Sequence, residues 1–293
     1  MEAPVPVTIA KERRRFYDGG VWSSGDQPEI PPNPDEDPRI VLERRLVEGE
    51  ELFVMQRRIA YLDRDFGELL VPDGLAFTTD LTSVPALFTW LVPKTGAHLP
   101  AALLHDGLCC PPEARTFVRT DGDPAELTRV DADRILRDAM ADTGTPLVRR
   151  WLVWAAVATS TMVFGRDTSW SPGERFRYRW VALVSLGLVA LLGVFSTLDL
   201  FDVRRAPPLP WMGEASFLVE LVKGLLAAVV VPAVLGLLWG RFRIAGWIML
   251  IGLAVLLHVT IALFAITLLY RATEWLAARL PRRRTTRQPT RTG

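Results

Sequence analysis

His105 and Asp106 stand side by side in Ala101-Ala-Leu-Leu-His-Asp106, and a third ionisable residue follows as Asp133 in Asp131-Ala-Asp-Arg-Ile-Leu136. An imidazole titrates near neutrality, and a carboxylate beside it can orient the ring and stabilise its charged form, so His105 and Asp133 together have the makings of a general base. Asp80 and Ser83 precede them in Val71-Pro-Asp-Gly-Leu-Ala-Phe-Thr-Thr-Asp-Leu-Thr-Ser-Val-Pro85. Three chemistries are open to this set. His105 could activate water with Asp133 behind it; Asp80, His105, Asp106 and Asp133 could hold a divalent metal; or Ser83, His105 and Asp133 could form a triad. A metal cluster calls for a second histidine, and His98, just ahead of Pro100, fits that role poorly. Ser83 in T-S-V-P lacks a strained nucleophile turn. A structural alternative stands beside all three: His105 and Asp106 cross-link helices, Asp80 caps the turn leading to Pro85, and Asp133 accepts a hydrogen bond in a core. Because short motifs overpredict activity, the balance favours a binding or assembly module over a hydrolase.

These residues need helices that face one another. Pro100 suits a first helical position, and Ala101, Leu104, His105 and Leu108 recur at helical spacing, which places His105 on the inward stripe. A second helix is expected from Asp123 as cap, with Pro124 in the first turn and Glu126 three residues on; its apolar face is Ala132, Ile135, Leu136, Ala139 and Met140, with Asp133 beside it. A third starts at Thr145-Pro146 and runs through Trp151, Trp154 and Val157; the uncharged stretch from Trp151 to Gly165 is too short for an ordinary span and reads as buried or resting on a membrane. Upstream, Phe53-Val54-Met55, Ile59 to Leu62, Leu69 to Val71 and Leu75 to Phe77 alternate with turn residues and predict a small antiparallel sheet or meander. The fold class expected is α+β: a small antiparallel sheet, three helices, then a helical membrane anchor.

The anchor comes from Trp180 to Leu198, Phe217 to Trp239 and Ile244 to Tyr270, each long enough to cross a hydrocarbon core of about 30 Å. The chain therefore divides into a Pro-rich arm over 1–38, expected to be flexible, a soluble domain over 39–165, a basic juxtamembrane linker over 166–179, the spans within 180–270, and an Arg-rich tail over 271–293. The charged cluster Lys11 to Arg15 has no apolar stretch behind it, so no cleavable signal peptide is expected and the N-terminal domain is assigned to the cytoplasm of a multi-pass cell-membrane protein. Arg175, Arg177 and Arg179 before the first span, and Arg241 and Arg243 between the second and third, then lie inside. Three crossings put the tail outside, unless the Trp151 segment crosses or one apolar segment re-enters. A net charge of +1 gives no sign of a nucleic-acid partner; the arginines of the tail suit anionic lipid, so the expected partners are membrane lipid and an unknown protein. The two cysteines, Cys109 and Cys110, are adjacent and lack sequence neighbours that would complete a structural zinc site. In the third span His258 is a candidate by its depth, and a hydrogen bond to a neighbouring helix is its plain alternative.

The motifs resemble a bacterial and phage family called domain of unknown function 1353, whose pattern is a V-P-x-G-F-x-T-D-x-A-S-V-P segment, an A-A-x-x-H-D-x-L-Y helix and a later A-D-R helix. The resemblance covers about Leu52 to Gly165. Thr82 stands where that pattern has alanine and Cys109 where it has tyrosine. The resemblance brings no established activity. The His-Asp helix is also similar to that of phospholipase A2, which would imply His105 as general base, Asp133 as its orienting carboxylate and Asp106 as ligand to a calcium ion. That family's glycine-rich calcium loop and disulfides have no counterpart here. The four-residue metal cluster is similar instead to His-Asp phosphohydrolases.

Overall fold

The structure, a computed structural model, describes residues 15–23, 28–47, 50–74, 77–79, 81, 95–109, 117–119, 127–166, 168–202, 209–211 and 215–279. Strands β1 (Phe16–Asp18), β2 (Leu42–Val47), β3 (Glu50–Met55), β4 (Ile59–Asp63), β5 (Gly67–Val71), β6 (Thr78–Thr79) and β7 (Val118–Arg119) accompany helices α1 (Leu99–Leu108), α2 (Arg129–Asp142) and α3 (Leu147–Phe164). Three long helices follow: α4 (Pro172–Leu200), α5 (Phe217–Leu237) and α6 (Arg243–Arg279). This is the α+β layout expected from the sequence, with all strand pairs antiparallel.

The strands form two sheets rather than one, in the orders β1-β4-β5-β7 and β2-β3-β6. Alternation explains which faces are buried: in β4 and β5, Ile59, Tyr61, Leu69 and Val71 point into the main core, while Ala60 and Leu70 cover Tyr17 on the opposite face. Within the stretch expected to be an arm, β1 pairs Phe16 to Asp18 with Ile59 to Tyr61, and all three residues are buried. Asp18 takes a two-pronged contact from Arg57, which fastens this part of the N-terminal segment to the sheet. Of the strand expected over Leu75 to Phe77, the first two residues lie outside the described residues, and the strand itself is Thr78–Thr79.

Helix α1 lies against β5 so closely that a Cβ on Gly107 would come within 2.3 Å of a methyl carbon of Val71. Helix α2 begins later than Asp123, Pro124 and Glu126 suggest, and those three lie outside the described residues. Its cap is Thr128, whose hydroxyl accepts from the Asp131 N–H while the Asp131 carboxylate accepts from the Thr128 N–H, a reciprocal box that satisfies two donors of the first turn. The face of α2 expected to be apolar is buried at Ala132, Ile135, Leu136, Ala139 and Met140. Arg134 grips Asp63, at the end of β4, through two nitrogens at 2.9 and 3.0 Å. Helices and sheet thereby meet around one core.

Helix α3 joins two layers. Val153 and Val157 pack on the core shared by the sheets, α1 and α2, whereas Trp154, Ala155, Ala158 and Met162 belong to a second cluster with Tyr178 and Ala182 of α4 and Ala245 and Leu250 of α6. The stretch 166–179, expected to be a linker, is largely helical from Pro172, with Ser171 and Glu174 forming a capping box. Glycines let α5 and α6 approach: a Cβ on Gly236 would lie 2.4 Å from a ring carbon of Trp247, and one on Gly246 would lie 2.8 Å from the Trp239 ring. Such close approach of backbones is how helices associate where the surroundings are as apolar as the side chains. Helices α4 and α5, and the stretch Gly240–Ala277 that holds most of α6, are each long and apolar enough to cross a membrane.

Candidate functional site

The buried face of α1 carries His105, and the buried face of α2 carries Asp133. The Thr128 box sets the register of α2 so that the two acids of Asp131-Ala-Asp133 separate in role. Asp131 serves the cap at the helix end, while Asp133, two residues on, is turned inward. His105 Nε2 lies 2.9 Å from Asp133 Oδ1, and the side chains are only 9% and 2% exposed. This pair is under the core, not in an open cleft. The second carboxylate oxygen of Asp133, Oδ2, is buried with no hydrogen-bond partner among the described residues.

Cys109 completes the group. It caps the C-terminus of α1, donating its N–H to the His105 carbonyl at 2.9 Å, and its sulfur sits 3.3 Å from the same Nε2 that faces Asp133. A spacing of four on a helix puts two side chains on one face, so the relation of Cys109 to His105 was written in the sequence.

Burial alone pushes the pKa of His105 down, because it penalises the charged ring. The sulfur of Cys109, when ionised, and the hydrogen-bonded carboxylate of Asp133 outweigh that cost and hold His105 well above its ordinary value. The two neighbours also crowd one nitrogen, whereas a catalytic triad places its nucleophile and its carboxylate on opposite nitrogens of the ring.

Asp106 does not join this group. Its carboxylate accepts from the Thr79 hydroxyl at 2.7 Å, and the same hydroxyl accepts from the Leu81 N–H at 2.9 Å, so Asp106 ties β6 and the start of the following loop to α1. Among the described residues one set of histidine, cysteine and carboxylate groups is disposed to share a metal: His105, Cys109 and Asp133. Asp80 and Ser83 lie outside the described residues. His98 is buried at the N-cap of α1. In the anchor, His258 Nε2 lies 2.5 Å from the Thr197 hydroxyl, a hydrogen bond between α6 and α4.

A domain in which two small antiparallel sheets pack on three helices, followed by helices of membrane-spanning length, defines the class of this protein. Within it, residues 53–157 match the family model described as "Protein of unknown function (DUF1353)", which bears out the resemblance drawn from the His-Asp and A-D-R segments. Neither curated proteins nor solved structures yield a match. The structure gives the A-D-R segment physical content: Ala132 is buried, Asp133 meets His105, and Arg134 holds Asp63.

Proposed function

We propose that this chain is a multi-pass cell-membrane protein that holds its DUF1353 domain against the inner surface of the bilayer as a binding or assembly module for a protein partner. The observation that carries this reading is the two-sided packing of α3, which fixes the domain to α4 and α6 without a slack tether. A domain docked in this way presents one orientation to whatever meets it at the membrane. The charge pattern agrees. Arg241 stacks over Trp170, Tyr178 and Phe242 at 5.0 to 5.6 Å, so the loop between α5 and α6 and the start of α4 lie together on the domain's side, where the positive-inside rule favours arginine.

A His-Asp hydrolase at the membrane surface draws less support from the site. His105 and Asp133 are buried, and Nε2 of the imidazole is already engaged by Asp133 and Cys109, whereas a general base needs a free lone pair within reach of water. The calcium role of Asp106 is likewise unsupported, since its carboxylate is engaged by Thr79. The deciding experiment compares the purified protein with His105→Gln and Asp133→Asn for thermal unfolding and for hydrolysis of phospholipid vesicles, with and without calcium. A non-hydrolytic wild type and variants with lowered melting temperatures are expected. Vesicle hydrolysis by the wild type that both variants lose while staying folded would replace the module with the enzyme.

A further inference from the structure

The group at the junction of α1 and α2 holds a combination that hydrogen bonding alone serves badly. Nε2 of His105 can carry one proton, yet it faces both Asp133 Oδ1 at 2.9 Å and Cys109 Sγ at 3.3 Å. Whichever neighbour receives that proton, the other is left against it, and Asp133 Oδ2 is buried with no partner among the described residues. Burying a carboxylate oxygen without a donor is costly, and a native structure tolerates it where something else completes the site.

We propose that His105 Nε2, Cys109 Sγ and a carboxylate oxygen of Asp133 bind a divalent transition metal of the zinc class. The ligand atoms all lie within 4.8 Å of one another, as a shared ion requires. Tetrahedral zinc with bonds of about 2.0–2.3 Å separates its nitrogen and sulfur ligands by about 3.6 Å and its nitrogen and oxygen ligands by about 3.4 Å. The observed 3.3 and 2.9 Å are a few tenths tighter, a difference that small rotations of Cys109 and Asp133 absorb. Nitrogen, sulfur and oxygen donors together select a borderline-soft ion and discriminate against calcium, which takes six to eight oxygens. Two ligands four apart on α1 and a third on α2 make the ion a rivet between helices. Three protein ligands leave the fourth tetrahedral position to water. The site goes beyond the membrane-module reading and does not depend on it.

The full chain, purified in detergent without a polyhistidine tag and stripped with a chelator, is titrated with Co²⁺ and then with Zn²⁺ as competitor. Expected are saturation at a single equivalent, a thiolate-to-cobalt charge-transfer band that Zn²⁺ abolishes, and a melting temperature raised by roughly 5 °C on adding Zn²⁺ to stripped protein. Cys110→Ser keeps the band and Cys109→Ser loses it. If Cys109→Ser fails to fold, the band in Cys110→Ser suffices, because Cys109 is then the one thiol remaining in the chain. Asp106→Asn, on the same helix but outside the group, leaves cobalt binding unchanged. Absence of the band from folded wild-type protein overturns the site, as does a band that survives in Cys109→Ser.

Discussion

Asp63 closes the turn between β4 and β5, accepting from the N–H groups of Asp65 and Phe66, and holds the guanidinium of Arg134 with both oxygens. Burial raises its pKa, but the fork from Arg134 and the two backbone donors outweigh that, and the net shift is downward. A carboxyl depressed in the folded state binds its proton more readily when unfolded. Its contribution to stability is therefore complete above the ordinary carboxylate range and is lost as pH falls through the folded-state value. Thermal unfolding followed from pH 7 down to acid should show this loss, and Asp63→Asn should flatten the acid limb while lowering stability at pH 7. Removing one partner of such a buried pair costs about 3–5 kcal/mol. At this scale the sequence was legible where periodicity governs: the inward stripe of α1 located His105, and the apolar face of α2 placed Asp133 beside it. It was not legible where direction matters. Asp106 follows His105 by one residue, about 100° around the helix, and that rotation delivers it to Thr79 instead of the pair.

Gly107 governs how α1 sits on the sheet. A methyl group there meets Val71, itself buried, so Gly107→Ala should lower stability by about 1–3 kcal/mol, measured by thermal or denaturant unfolding. Val71→Ala in the same chain should recover part of that loss, giving a coupling energy that independent sites would not show. Elements long enough to repeat their pattern could be read from the chain; short ones could not. β7 has two residues and β1 three, and neither length carries a period, so their place at the edges of one sheet comes from pairing with β5 and β4. The start of α2 was misplaced for a related reason. Asp123, Pro124 and Glu126 satisfy the same pattern as Thr128 and Asp131, and only tertiary placement of the helix decides between two adequate caps.

For the whole molecule, the proposed orientation makes a topological prediction. Reporter fusions after Gly165 and Arg241 should show activity of a cytoplasmic reporter, and fusions after Pro210 and Gly293 that of an external one. An external signal at Gly165 would overturn the orientation. Trp154 tests the join between the layers: it is buried in the cluster shared with α4 and α6, and Arg137 of α2 lies over its ring at 5.5 Å. Trp154→Ala should cost about 3–5 kcal/mol and make the N-terminal domain accessible to protease while the spans stay in the membrane. The packing of α3 also has a meaning for biosynthesis. The residues that cover Trp154, Ala158 and Met162 belong to helices that leave the ribosome after α3 does, and those of α6 come last. The N-terminal domain is therefore not finished when its own last residue has been made. Its final layer waits on the later helices, so a nascent chain halted before α6 should present an apolar strip to chaperones, and release of that strip should report that α6 has packed.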